Sequence, residues 1–146
     1  MSGESIVQRF FAPSPRLQDA GLLLIRLGFG LSLLLGHGIR KLPPSPRFVE
    51  GAANMGFPVP IFFAWAAALS ETAGATLLAL GLFTRPASLF VACTVGTAFF
   101  VRHAADPFNK KELALAYFLV ALALLIGGPG RYSLDRWISD RTRPRS

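Results

Sequence analysis

Four long apolar runs, separated by proline-, glycine- and charge-bearing stretches, set the pattern of this chain: residues 20–39, 61–83, 87–102 and 113–127. Within each run both sides are apolar, with no period-two alternation, which excludes the strands of a porin-like barrel and predicts helices. A helix needs about 20 residues to cross the ~30 Å hydrocarbon core of a bilayer. The first two runs meet that length; the last two need flanking residues or local thinning of the membrane. Pro43, Pro44 and Pro46 stop the first helix, and Pro58 and Pro60 precede the second. Thr84-Arg85-Pro86 reads as a tight turn with Pro86 at the first position of the third helix. Asp106-Pro107 breaks the next loop, and Gly127-Gly128-Pro129-Gly130 closes the fourth helix. With two short connections, the expected fold is all-α, one domain over residues 1–146 forming an antiparallel four-helix bundle.

Charge placement decides what solvent this bundle meets. Charged residues make up 16% of the 146, against roughly 25% in soluble domains. Residues 61–101 hold only Glu71 and Arg85, residues 113–130 hold no charge, and residues 21–39 hold Arg26 alone. A charge at membrane depth costs several kcal/mol, so this segregation predicts an integral membrane protein in direct contact with lipid. A mean hydropathy of +0.47 disfavours disorder. The net charge of +7 sits at the ends of the apolar runs, where loops meet water and headgroups, and does not point to nucleic acid.

Short amphipathic segments are expected on the membrane surface at both ends. One is residues 5–11, with Ile6, Val7, Phe10 and Phe11 on one side. The other is residues 133–140, where Leu134, Trp137 and Ile138 oppose Arg136, Asp140 and Arg141. No cleavable signal peptide is expected, because the first apolar run starts near residue 20 and contains Arg26 with no small-x-small site after it. An even number of spans puts both termini on one side. That side carries eight Lys and Arg against six on the other, which favours cytoplasmic termini.

Ionisable groups inside the spans are the best functional clue. Arg26 lies on the first helix, with His37 and Lys41 near its far end. Glu71 is near the middle of the second, His103 ends the third and Glu112 opens the fourth. Because successive helices alternate in direction, His37, His103 and Glu112 fall on one side. Each helix thus offers a polar group that could line one cavity. A buried carboxylate beside a cation can accept a proton or anchor a polar ligand, and histidine titrates near neutrality, as a quinone or similar carrier requires. Glu71, His37 and His103 are the candidate catalytic groups; Arg26, Lys41 and Glu112 are the candidate substrate-binding groups. The bland readings stand beside these: Glu71 gluing two helices, Arg26 snorkelling, Lys41, Arg102, Lys110 and Lys111 as interface anchors, and Ser70, Gly74 and Gly81 as a packing face. No metal is expected, since the Glu-x-x-His repeat of carboxylate-bridged bundles is missing. Cys93 stands alone, which rules out a Cys-x-x-Cys pair within this chain.

Several of these stretches, taken together, resemble the DoxX family. They are Arg26-Leu-Gly, Gly36-His37-Gly38-Ile39-Arg40-Lys41-Leu42, Gly56-Phe-Pro-Val-Pro60, Glu71 with Gly74, Leu80-Gly81-Leu-Phe-Thr-Arg85, Glu112-Leu-Ala-Leu-Ala-Tyr117 and Gly128-Pro-Gly-Arg-Tyr-Ser-Leu-Asp135. The resemblance covers roughly residues 20–138. It implies a bacterial four-helix inner-membrane protein of a family named after a subunit of a thiosulfate:quinone oxidoreductase, most of whose members have no established reaction. On this basis the chain is expected to be a membrane redox subunit that binds a quinone or small polar substrate, with electrons from a partner protein. The alternative is a non-enzymatic scaffold subunit or small transporter. Whether further copies of the chain join as a homo-oligomer is left open.

Overall fold

The computed structural model describes residues 14–142; the surface segment expected at residues 5–11 lies outside them. Helices are the regular structure of the described chain, and no strand occurs among these residues. Helix α1 runs Pro15–Lys41, α3 Pro60–Leu80 and α4 Thr84–Arg102; these three are long and apolar enough to cross a membrane, at 27, 21 and 19 residues. Helix α5, Phe108–Gly127, has 20 residues, but its first turns hold Lys110, Lys111 and Glu112. Helix α6, Leu134–Thr142, covers the amphipathic segment read from the sequence and leaves Trp137 and Ile138 exposed.

Several boundaries differ from the sequence reading. Helix α3 ends at Leu80 rather than 83, where Gly81 turns left-handed. Helix α5 begins at Phe108 after Pro107 rather than near 113, so Glu112 is its fifth residue and does not open it. Helix α1 begins at Pro15 rather than near residue 20, so Arg26 lies eleven residues inside it. Helix α4 begins at Thr84, which makes Pro86 its third residue, still within the turn whose N–H groups lack helical partners. The N–H groups of Phe83 and Thr84 are instead bonded by the Asp135 carboxylate at 2.8 and 2.9 Å. Between α1 and α3 the proline-rich stretch forms a further helix, α2, Pro46–Asn54, capped by Ser45 Oγ accepting from the Phe48 N–H.

The packing is inside-out relative to a water-soluble protein. Buried positions are dominated by small side chains: Ala64, Ala68, Ala75, Ala87, Ala92 and Ala121, with Ser70, Ser88 and Thr84. Large apolar side chains such as Leu24, Leu35, Phe90, Leu119 and Ile126 face outward. Lipid is as apolar as leucine, so helices in a bilayer associate through close backbone approach rather than through burial of large residues. Helices α1 and α3 show this most clearly. A Cβ on Gly30 would lie 2.6 Å from the Ala75 carbonyl, and one on Gly38 would lie 2.2 Å from that of Glu71. These two contacts run in opposite directions along the helices, so α1 and α3 are antiparallel. Helices α4 and α5 are antiparallel too, with Phe118 against Gly96 and Lys111 over the Phe99 ring.

Each of α1, α3 and α4 contains one π-helical turn, at Leu34–Gly38, Ser70–Gly74 and Ala98–Arg102. One extra residue per turn re-aims the side chains that follow, and such turns are frequent at functional sites. Here they carry His37, Glu71 and Arg102. Sequence periodicity gives no warning of them.

Candidate functional site

Between the π-helical turns of α1 and α3 and that of α4 the helices line a cavity of about 690 Å³, within the range of small-ligand sites. Its α1 side is polar. Lys41 Nζ donates to both oxygens of Glu71, at 2.7 and 2.6 Å. The Glu71 side chain is 5% exposed and that of Lys41 30%, so the carboxylate is held inside the bundle while the ammonium reaches its edge. The close approach at Gly38 makes this pair, since it brings the last turn of α1 onto the middle of α3. Lys41 also lies 5.3 Å from the centre of the Phe48 ring on α2.

His37 lines the same cavity, one turn before Lys41, and its ring meets Tyr117 of α5 edge to face at 5.9 Å. His103, just past the end of α4, lines the mouth and is held by Asp106, with Nδ1 and Oδ2 2.6 Å apart. The imidazole hydrogen bond is the main reason the Asp106 carboxyl titrates below its ordinary value. The cavity therefore brings together four of the six residues selected from sequence: His37, Lys41, Glu71 and His103, drawn from α1, α3 and the end of α4.

The other two stand apart. Arg26 is buried near the middle of α1, away from the cavity, where a guanidinium N–H donates to the Tyr132 carbonyl. It fills the space beside Gly81, whose φ of +66 allows a tight turn and leaves no room for a Cβ next to Nη1. Arg26 belongs to the junction between the α3–α4 turn and the chain leading into α6, not to the cavity. Glu112 is exposed on α5 and is not among the residues lining the cavity.

Sequence reasoning also passed over several residues of the cavity. Arg102 and Lys110 line it, though their positions at helix ends read as interface anchors. Tyr117 contributes its ring from α5. Phe48, Ala52 and Met55 close one side, and their spacing of four and three residues after a Ser-Pro start was a helical signal. Among the described residues no three His, Cys, Asp or Glu side chains gather as a metal site. Chemically, the cavity pairs apolar walls from α3 and α4 with hydrogen-bonding and cationic groups, the Lys41–Glu71 pair and His37 on the side of α1 and His103, Arg102 and Lys110 toward the mouth. That division suits a molecule with a polar head and an apolar body.

Comparison with known proteins agrees with the architecture. The family model described as DoxX matches residues 21–104. The chain is 34% identical over 128 residues to the inner membrane protein YphA of Escherichia coli, covering 79% of this chain and 88% of that protein. It is 33% identical over 150 residues to an uncharacterized membrane protein of Mycobacterium tuberculosis, covering 89% of this chain and 91% of the relative. An uncharacterized protein of Haemophilus influenzae is 33% identical over 107 residues, 68% of this chain and 77% of its own. No solved structure matches the chain.

Proposed function

Because the chain belongs to the DoxX family of membrane proteins, we propose that it acts in the bacterial inner membrane as the ligand-binding subunit of an oxidoreductase. In this reading α1, α3, α4 and α5 form an antiparallel four-helix membrane bundle, with α6 on the surface and the termini in the cytoplasm. The ligand is a quinone or a small polar substrate, and a partner protein supplies the electrons. The convergence of His37, Lys41, Glu71 and His103 on one cavity carries the proposal.

A quinone fits the donor set. Its ring and methyl groups match the apolar walls, and its carbonyl oxygens match Lys41 and the histidines. A quinone takes up two electrons with two protons. Within the chain, Lys41 offsets negative charge on the ligand oxygens, while Glu71 and His37 hold and pass protons beside it. His103 connects the mouth to water through Asp106. Arg26 has no part in this and is assigned to holding the α3–α4 turn.

A second reading is favoured by one observation: both Glu71 oxygens are already taken by Lys41. A pair closed on itself is what helix glue requires, and it belongs to the scaffold or transporter alternative. Thermal unfolding of the detergent-purified protein separates the two. A ligand at 100 times its dissociation constant adds about 2.7 kcal/mol to the folded state. Stabilisation by a quinone or by thiosulfate that is lost in Glu71→Gln supports the binding subunit. No shift with any of them, together with a less stable Glu71→Gln, supports the scaffold.

A further inference from the structure

The two halves of α3 have different neighbours. Residues 70–80 are packed along α4, whereas Pro60–Leu69 packs chiefly on α2. From the π-helical turn at Ser70–Gly74 onward the first half of α3 therefore parts from α4, and the cavity extends into the cleft between them. Phe62 and Ala66 line the cavity from α3, and Phe90 and Cys93 line it from α4. All four are also exposed, Phe62 by 63% and Phe90 by 65%, more than side chains walling a closed cavity would be. Residues that face both the cavity and the exterior mark an opening in its wall.

The depth of this opening decides what it meets. Cys93 is nine residues from either end of α4, Thr84–Arg102, or roughly 14 Å from each at ~1.5 Å per residue. That is the middle of a ~30 Å hydrocarbon core. Water does not reach an outward-facing cysteine at that level, and acyl chains do. The Lys41–Glu71 pair sits at a similar depth on the side of α1, since Gly74 meets Val91 and Gly38 meets Glu71, so the space runs across the bundle from a cationic, hydrogen-bonding head region to a hydrocarbon-facing side.

We propose that the cavity opens sideways into the bilayer between α3 and α4, and that its ligand is a membrane-dissolved molecule whose apolar tail occupies this opening while its polar head lies at Lys41 and Glu71. Ala66, Phe90 and Cys93 are then the residues that select for a tail, and a purely water-soluble substrate is disfavoured. This rests on the ligand-binding reading above and narrows its substrate class.

Cys93 is the single cysteine of the chain, so it reports on the opening without any ligand. The full-length protein is spin-labelled at Cys93 and reconstituted in vesicles. High collision rates with oxygen, which concentrates in hydrocarbon, and low rates with a water-soluble nickel chelate are expected. Strong relaxation by the chelate would show a water-filled opening, and shielding from both would show a second copy or another protein seated there; either overturns the proposal. The tail is tested with a dimethoxy-methyl-benzoquinone bearing a decyl chain and with the same ring lacking it. Ala66→Trp, which fills the opening, is expected to weaken the decyl form by about tenfold while the tail-less ring still binds. Equal binding of the decyl form to wild type and Ala66→Trp overturns the side opening and leaves the binding reading standing. If neither quinone binds wild type, the tailed ligand is overturned, and stabilisation by thiosulfate alone would leave the binding reading standing with a water-soluble substrate.

Discussion

At the scale of the residue, the Lys41–Glu71 pair is asymmetric, and its energetics follow from that. Glu71 is enclosed while Lys41 is about a third exposed, so removing one partner is not equivalent to removing the other. Lys41→Met leaves a buried carboxylate unpaired and is expected to cost about 3–5 kcal/mol. Glu71→Gln leaves an ammonium that can turn toward water and is expected to cost about 1–2 kcal/mol. The double variant should recover most of the Lys41→Met loss, which thermal unfolding of the four proteins in one detergent would show; additive losses would mean that the pair does not interact. Asp106 supplies the pH-dependent case. Its carboxyl is held below its ordinary 3.8, first by the hydrogen bond from His103. A depressed carboxyl stabilises the fold above the ordinary value and loses that contribution as pH falls through the lowered one, so the effect belongs to the acid side of pH 4. In His103→Phe the Asp106 titration, followed by carboxyl-selective NMR, should move up toward 3.8. Glu71 was recognisable in the sequence because a carboxylate among apolar residues is conspicuous. Its partner was not fixed, since Arg26, His37 and Lys41 were all plausible by span position, and only the register of α1 on α3 selects Lys41.

At the scale of the element, that register is set by glycines. Gly36 and Gly38 flank His37 directly, yet their surroundings are opposite. Nothing lies within 4 Å of a Cβ on Gly36, whereas a Cβ on Gly38 would be 2.2 Å from the Glu71 carbonyl oxygen. Gly36→Ala is therefore expected to be neutral or stabilising by up to about 1 kcal/mol, from the better helix propensity of alanine. Gly38→Ala must push α1 off α3 and is expected to cost about 1–3 kcal/mol and to abolish ligand stabilisation. Equal thermal midpoints for the two variants would contradict the close approach. The helices themselves were legible because runs of apolar residues have few alternatives in a membrane. Helix α2 was missed because three prolines in four residues read as a linker, although Pro46 occupies the first helical position, where proline is favoured. The π-helical turns were invisible for a different reason: a one-residue insertion changes direction without changing hydrophobicity.

At the scale of the whole molecule, the membrane assignment rests on where charges are missing, and the orientation on where they accumulate. The proposed topology puts Arg85 and the α6 region on the cytoplasmic side, and the Lys41, Arg102 and Lys110 end with the cavity mouth on the other. A C-terminal alkaline phosphatase fusion is expected to be inactive and a C-terminal green fluorescent protein fusion to fluoresce. The reverse pattern would invert the bundle and place the cavity mouth in the cytoplasm. The candidate site was legible only in part at this scale. The sequence could say which end of each helix carries a polar group, and this sufficed for His37 and His103. It could not say that Arg26, on the same helix as Lys41, faces a junction away from the cavity.

That junction has a consequence for the order in which the protein is made. The N–H groups that begin α4 are bonded by Asp135, about fifty residues later in the chain, and Arg26 of α1 holds Tyr132 beside them. While the ribosome is still synthesising α5, neither partner exists, so the α3–α4 hairpin leaves the translocon with its turn unfastened. Fastening comes after α5 is in place, which makes the segment around Asp135 a late quality mark for an inserted chain. A chain ending at Gly130 is expected to insert but to be degraded faster than the full-length protein in a pulse-chase experiment. Equal half-lives would show that the turn is secure without it.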